Sequence, residues 1–380
     1  MGVIPCRFES YTLRHDRFFI GGDPNGRRKV AIRVDMKYKK SKKLNKGDLI
    51  AIVSPSWGGP SVFPHIYENG LKVLQKWGLR IKEYPTARAN AKHLRNNPRM
   101  RAEDLNNAFA NKEVRAIITS IGGDDSVRIL PYLNKNTIKA NPKIFLGYSD
   151  TTAIHAFCNQ LGTITFYGPS VMSGFSQMES LSNRFEQHVK QMLFSSSKTH
   201  DYAPYKQYCD GYPDWKNKNN TGKINRLKKD KGWRFLQGKN IVRGKLFGGC
   251  MEVLEMMKAT TFWPKYDFWN GKIFFLETSE EKPSLHYVDH VLRNYGAQGV
   301  FDRIKGLIFG RARDYSEEEK KELDQKIVSV VAQEFKMPNL PVVTNVDFGH
   351  TDPQFVLPMG VELAIDCKSK KLHLVEPWLR

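Results

Sequence analysis

The chain has 380 residues and carries 60 Lys and Arg against 39 Asp and Glu, a net charge of +21, and its length holds two domains of ordinary size with a substantial core. Five cysteines (Cys6, Cys158, Cys209, Cys250 and Cys367) are odd in number and scattered, without Cys-x-x-Cys spacing, which argues against a disulfide framework or a zinc ribbon and makes a reducing cytoplasmic setting the expectation. No apolar stretch approaches the roughly 18 residues of a spanning helix, and the N-terminus lacks a signal peptide's apolar core, so no membrane partner is expected.

The positive charge is unevenly placed. Residues 1–46 hold 13 Lys and Arg against four Asp and Glu, and residues 216–245 hold 11 against one, so the rest of the chain is close to neutral. These stretches read either as a solvated tail and loop or as a funnel for an anionic substrate. Residues 1–46 are assigned to a basic extension, and a chain beginning at Met36 is expected to fold and act normally.

In chain order, Ala116-Ile117-Ile118-Thr119-Ser120-Ile121 and Lys143-Ile144-Phe145-Leu146 are short apolar runs bounded by Gly, Pro and Asn, as buried strands are. The first ends in Gly122-Gly123-Asp124-Asp125-Ser126. Two glycines at a strand end let backbone N–H groups approach a ligand, which suits an oxyanion hole shared by Gly123 with the N–H of Asp150; a tight turn with Asp caps is the other reading. The second exits into Gly147-Tyr148-Ser149-Asp150, after which Thr151-Thr152-Ala153-Ile154-His155-Ala156-Phe157 takes up helical spacing. Ser149 thus lies on a strand-to-helix corner, where a nucleophile is held exposed. Thr151 stands where the hydrolase elbow has its second glycine, and a Ser before Asp at a helix start also reads as an N-cap.

From about residue 201 to 240, Tyr202, Tyr205, Tyr208, Tyr212, Trp215 and Trp233 are interleaved with Asn, Gly and Lys. Weak periodicity marks a long inter-domain loop. Its aromatic faces, Trp215 in particular, could stack a base, and Lys228 and Lys229 could meet an anionic group; core packing is the alternative, above all for Trp233. Further on, Lys272-Ile273-Phe274-Phe275-Leu276 reads as a strand with Glu277 at its carboxyl end, where open α/β sheets place their sites. Glu280 and Glu281 compete with it, although they also suit the first turn of the next helix. His286-Tyr287-Val288-Asp289-His290 superficially resembles an inverted zinc-peptidase motif, but Asp289 stands where that motif needs Glu, and no metal or cofactor is expected. His350 follows Leu340-Pro341-Val342-Val343-Thr344-Asn345-Val346, in a loop between Gly349 and Thr351-Asp352-Pro353. Ser149, His350 and Glu277 together offer a hydroxyl, a base and an orienting carboxylate.

These strings, with Gly47-Asp48-Leu49-Ile50-Ala51-Ile52-Val53-Ser54-Pro55-Ser56, Arg101-Ala102-Glu103-Asp104-Leu105 and Gly248-Gly249-Cys250-Met251-Glu252-Val253-Leu254, resemble the LD-carboxypeptidase and microcin C immunity family of serine peptidases. The likeness runs in the family's order from about Leu44 to the C-terminus. Asp214-Trp215, Gly232-Trp233-Arg234-Phe235-Leu236-Gln237-Gly238 and Ile121-Gly122-Gly123-Asp124-Asp125-Ser126 look more like the microcin-immunity branch.

The resemblance implies an α/β fold. An N-terminal flavodoxin-like or amidotransferase-like α/β domain (residues 47–200) would hold the serine, and a β-rich α/β C-terminal domain (residues 241–380) the Glu and His. The site would lie at their interface, with the loop of residues 201–240 beside it. It further implies Ser149 as nucleophile, His350 as general base and then acid, and Glu277 as the residue that orients the imidazole. Gly123 and Asp150 would supply oxyanion N–H groups, and Gly122, Trp215, Lys228 and Lys229 would contact substrate. The implied assembly is a homodimer. The implied reaction is hydrolysis, through an acyl-enzyme, of an amide bond near a carboxylate or other anionic end, in a peptidyl-nucleotide of the microcin C type or in a muropeptide that loses a terminal D-Ala. A nucleic-acid or anion binder on a peptidase fold is a further alternative, but no recognition motif accompanies the basic segments and nucleic acid is not expected as a partner.

Overall fold

The structure is a computed structural model that describes residues 36–380. The expectations for residues 1–35 lie outside the described residues. Strands form at Leu49–Val53 (β1), Arg80–Glu83 (β2), Val114–Thr119 (β3), Ile144–Gly147 (β4) and Thr165–Tyr167 (β5), followed by His200–Tyr202 (β6), Gln207–Asp210 (β7), Lys228–Lys229 (β8) and Arg234–Gln237 (β9). The C-terminal part adds Ile241–Cys250 (β10), Lys272–Glu277 (β11), Gly306–Gly310 (β12), Val342–Val346 (β13), Thr351–Asp352 (β14), Leu357–Met359 (β15), Glu362–Asp366 (β16) and Lys371–Leu374 (β17).

β3 and β4 are buried almost throughout, which is why they read as unbroken apolar runs. With β1, β2 and β5 they make a parallel sheet in the order 2-1-3-4-5, the flavodoxin-like arrangement, and β15 adds to its edge antiparallel to β5. The second sheet runs β6-β17-β16-β10-β11-β12-β13-β9, with β10 to β13 parallel and the outer pairs antiparallel. Open α/β sheets bind ligands outside the carboxyl ends of their parallel strands. Ser149 follows β4, Gly122 and Gly123 follow β3, Glu277 ends β11, and His350 follows β13.

Two boundaries differ from the sequence expectation. Charge places residues 37–46 in the basic extension, yet they dock on the body. Backbone bonds join Lys39 to Gly162 at 2.8 Å, Leu44 to Leu193 at 2.9 Å and Lys43 to Arg380 at 3.1 Å, and the Leu44 side chain is buried. A count of lysines registers charge and misses the backbone bonds and the one leucine that anchor the segment. Residues 201–240 are likewise no structureless loop. They contain β6 to β9, two of which extend the second sheet, and Tyr202, Tyr205 and Tyr208 are buried. The alternating aromatics signal packing here, and several cations of the segment are engaged with the body: Lys228 with Asp210 at 2.6 Å, Lys231 with Glu317 at 3.1 Å and Arg234 with Asp324.

The segment also underlies the loop that carries His350. The fully buried Arg311 guanidinium pairs with Asp347 and, at 3.0 Å, with Asp230, donates to Thr351 Oγ1 at 3.1 Å, and lies over the Tyr208 ring. Trp233 Nε1 donates to the second oxygen of Asp347 at 2.7 Å. Asn345, in the left-handed region at φ 59°, donates to Asp230 Oδ1 at 2.9 Å. Asp230 and Trp233 from the aromatic segment thus hold the base of the His350 loop. Removing one partner of a buried ionic cluster leaves an uncompensated charge, so Arg311→Ala is expected to destabilise the protein by about 3–5 kcal/mol. Urea unfolding measures this; a change under about 1 kcal/mol would count against the clamp.

Candidate active site

Ser149 sits in the first turn after β4 with φ 60°, a left-handed conformation unfavourable for a residue with a Cβ. Two bonds hold it there: its N–H donates to the Tyr167 hydroxyl at 3.1 Å, and its carbonyl accepts from Thr152 Oγ1 at 2.7 Å. The corner lifts the Ser149 hydroxyl off the sheet toward the His350 loop, where Oγ lies 2.9 Å from His350 Nε2. On the far side of the ring, Nδ1 lies 2.7 Å from Glu277 Oε2. Gly349, at φ 98°, is required beside it, because a Cβ there would fall 2.6 Å from that same carboxylate oxygen.

The other oxygen of Glu277 accepts from the Tyr167 hydroxyl at 2.6 Å. A single phenol therefore bonds the Ser149 backbone and the Glu277 carboxylate. A second link between the sheets runs through Thr152, whose Oγ1 accepts from Cys250 N at 3.0 Å. Glu277 is fully buried, and Ser149 and His350 are nearly so, at 8% exposure each.

Gly122 and Gly123 lie alongside. A Cβ on Gly122 would stand 3.0 Å from Ser149 Cβ and 3.1 Å from its Oγ, so the backbone approaches the hydroxyl as closely as a glycine permits. Asp150 belongs to the opening helical turn, whose N–H groups have no acceptor within the helix. Its carboxylate turns away to accept from Ser126 N at 2.8 Å, and burial pushes it up to about 6. The Asp150 side chain thus ties the glycine turn to the serine corner.

Glu280 occupies a different position from Glu277. Its Oε2 lies 2.8 Å from His350 Nε2, the nitrogen that also faces Ser149. Burial disfavours the imidazolium, but the charges of Glu277 and Glu280 and their bonds to the ring outweigh it and raise His350 to about 10. Burial likewise opposes ionisation of Glu280, and the His350 contact overcomes it, holding the carboxyl at about 2. Arg313 adds to the stabilisation of that carboxylate.

Among the residues singled out from sequence, Ser149, Glu277, His350, Gly122, Gly123 and Asp150 come together. Trp215 lies further out, half-buried, stacked on Tyr212 at 5.4 Å and edge-on to Phe63 at 5.7 Å. Tyr212 shares Ser173 Oγ with Tyr148, whose ring packs against His350 at 5.1 Å. Lys228 is paired with Asp210, and Lys229 is exposed on β8. The His286 and His290 rings lie 4.0 Å apart, tilted at 59°, and among the described residues no group of three or more His, Cys, Asp and Glu could hold a metal ion. Sequence reasoning missed Tyr167 and Arg313. A tyrosine ending an apolar strand carries no mark that separates a packing ring from a bridging hydroxyl, and Arg313 lies in no motif.

The chain is similar to known proteins over most of its length. Residues 50–168 match the LD-carboxypeptidase N-terminal domain and residues 243–365 the LD-carboxypeptidase C-terminal domain. The chain is 29% identical over 339 residues to the Microcin C7 self-immunity protein MccF of Escherichia coli, covering 88% of this chain and 95% of that protein. It is 24% identical over 338 residues to the Probable murein peptide carboxypeptidase of Bacillus subtilis, covering 87% and 92%. The solved structure of MccF in complex with aspartyl sulfamoyl adenosine superposes with a TM-score of 0.79 at 28% identity, covering 90% of this chain and all of that one. With both domain models matched in order, and with a similar protein aligned over nearly its whole length, the chain belongs to the LD-carboxypeptidase family of serine peptidases.

Proposed function

We propose that this protein hydrolyses the amide bond of an aminoacyl- or peptidyl-nucleotide, with Ser149 as nucleophile, His350 as general base and acid, and Glu277 as the carboxylate that orients the imidazole. The supporting observation is the unbroken chain of contacts from Ser149 Oγ through both His350 nitrogens to Glu277, at 2.9 and 2.7 Å, built on a left-handed corner. Ser149 Oγ attacks the scissile carbonyl as its proton passes to Nε2. The oxyanion faces the N–H groups of Gly123 and Asp150, the imidazolium protonates the departing nitrogen, and water then cleaves the acyl-enzyme by the same steps. Activity in the cytoplasm as a homodimer belongs to this reading, and light scattering on the purified protein tests the dimer.

The nucleotide half of the reading is supported by the aromatic group outside the triad. Trp215, Tyr212 and Phe63 pack on one another, and the Trp215 indole N–H is buried with no partner among the described residues. Stacking on such faces tolerates different bases. Solved MccF structures hold aspartyl sulfamoyl adenosine and glutamyl sulfamoyl guanosine. Lys228 and Lys229, offered from sequence as anion contacts, retain that role in the proposal only for Lys229, because Lys228 is engaged by Asp210.

Ser149→Ala is expected to keep the fold and lower turnover of a peptidyl-nucleotide by roughly 10⁴- to 10⁶-fold, with Glu277→Gln also strongly impaired. Mass analysis of the products measures both, and near-normal hydrolysis by folded Ser149→Ala protein would sink the assignment. Tyr167→Phe removes a donor to a buried carboxylate and the acceptor of the Ser149 N–H without touching substrate. It should lower kcat by about 10- to 100-fold while leaving KM within about twofold; a change in KM alone would place the hydroxyl outside the catalytic geometry. Trp215→Ala should weaken binding of a peptidyl-nucleotide by about 1–3 kcal/mol and leave a muropeptide nearly untouched. Equal loss on both substrates would make the tryptophan a packing residue.

A further inference from the structure

Glu280 makes a contact that the reaction has to break. Its Oε2 stands 2.8 Å from His350 Nε2, and Ser149 Oγ stands 2.9 Å from the same atom. An imidazole nitrogen carries at most one hydrogen. While that hydrogen points at the carboxylate, Nε2 cannot accept the proton of Ser149. Nε2 is also the atom that hands a proton to the leaving nitrogen, so in the free protein Glu280 occupies space directly beside the scissile bond of a bound substrate.

The surroundings show how Glu280 is held and what could release it. The turn after β11 is pinned by Ser279, whose N–H and hydroxyl both donate to Glu252 Oε1, at 2.9 and 2.6 Å. Lys282, just beyond, pairs with Glu319 at 2.9 Å. The Glu280 side chain itself is 51% exposed, so rotation about its own torsions frees Nε2 without moving the backbone. The charged and titratable groups facing His350 are Glu277 from β11, Glu280 from the turn, Tyr148 from the end of β4 and Asp352 from β14, with Arg313 acting on Glu280 and Asp352. Carboxyl groups outnumber the single guanidinium in this set. A substrate that brings no positive charge must part Glu280 from His350 and leave it only Arg313. An ammonium supplies the partner that Glu280 gives up.

We propose that Glu280 is a specificity-determining residue that favours amide substrates bearing a free ammonium group beside the scissile bond, because that ammonium draws the carboxylate off His350. The proposal rests on the roles of Ser149 and His350 given above. The only bond broken in the exchange is Nε2–H: the carboxylate passes from imidazolium to ammonium, water takes up the Nε2 proton, and neutral His350 becomes available as the base.

The test compares an aspartyl-nucleotide amide with its α-amine free or acetylated, on the wild-type protein and on Glu280→Gln. The wild type should favour the free amine in kcat/KM by roughly fivefold or more, and Glu280→Gln should bring that ratio close to one. The same ratio in both proteins overturns the proposal. In a second arm, His350 is titrated by NMR in the substrate-free proteins. Glu280→Gln should lower its pKa and carry the acid limb of kcat/KM to lower pH, since that limb reports the free enzyme; an unmoved pKa overturns the contact. If neither protein turns over either substrate, the peptidase reading fails, and the NMR arm by itself decides the Glu280 contact.

Discussion

The hydroxyl of Tyr167 is the point at which the two sheets are held to one another at the site. It accepts from the N–H of the strained Ser149 and donates to Glu277, so the conformation of the serine corner and the placement of the carboxylate are set by one group. A left-handed non-glycine residue costs of order 1–3 kcal/mol and persists only where its surroundings over-determine it. Here they do: Thr152 bonds the Ser149 carbonyl and receives the Cys250 N–H from the other sheet, and β15, from the C-terminal part of the chain, completes the edge of the N-terminal sheet. The carboxyl ends of β4 and β11 are thereby fixed facing each other, and His350 needs only to reach across.

The His350 loop carries ionic contacts of two different kinds. Beneath it, Arg311, Asp347 and Asp230 are shut away from water, and their oxygens are further bonded by Trp233 and Asn345. Breaking a dry, paired ionic cluster is costly, which suits a part that must not move. Above it, Glu280 meets the imidazole from a half-exposed position. Because the Glu280 carboxylate reaches water, it can exchange this partner for another by side-chain rotation alone. The contact beneath braces the loop that brings the imidazole to Glu277, and the one above meets Nε2, the nitrogen that also faces Ser149.

The segment of residues 201–240 joins both tasks. Asp230 and Trp233 anchor the histidine loop from below, and Tyr212 and Trp215 extend the aromatic wall outward from Tyr148. Its length, aromatic content and charge set it apart from the rest of the sequence. Those properties do not separate packing from binding, because a tyrosine buried beneath a loop and a tryptophan beside a substrate space have the same local sequence.

The sequence by itself determined the parallel α/β core, since buried strands read as apolar runs and β3, β4 and β11 each hold one. Together with the family resemblance, it also pointed to Ser149, Glu277 and His350, which lie at or shortly after the ends of core strands. What it left open required groups brought together from distant parts of the chain. Tyr167 and Glu277, 110 residues apart, meet only because two sheets face each other. Glu277 and Glu280 lie three residues apart along the chain and look alike there, while in space they approach opposite nitrogens of His350. Likewise, residues 37–46 have the composition of a solvated basic tail, while their backbone and Leu44 are bound to the body. Composition and periodicity report what a residue can do locally; burial, partner and direction are properties of the packed molecule, and only the tertiary structure decided them.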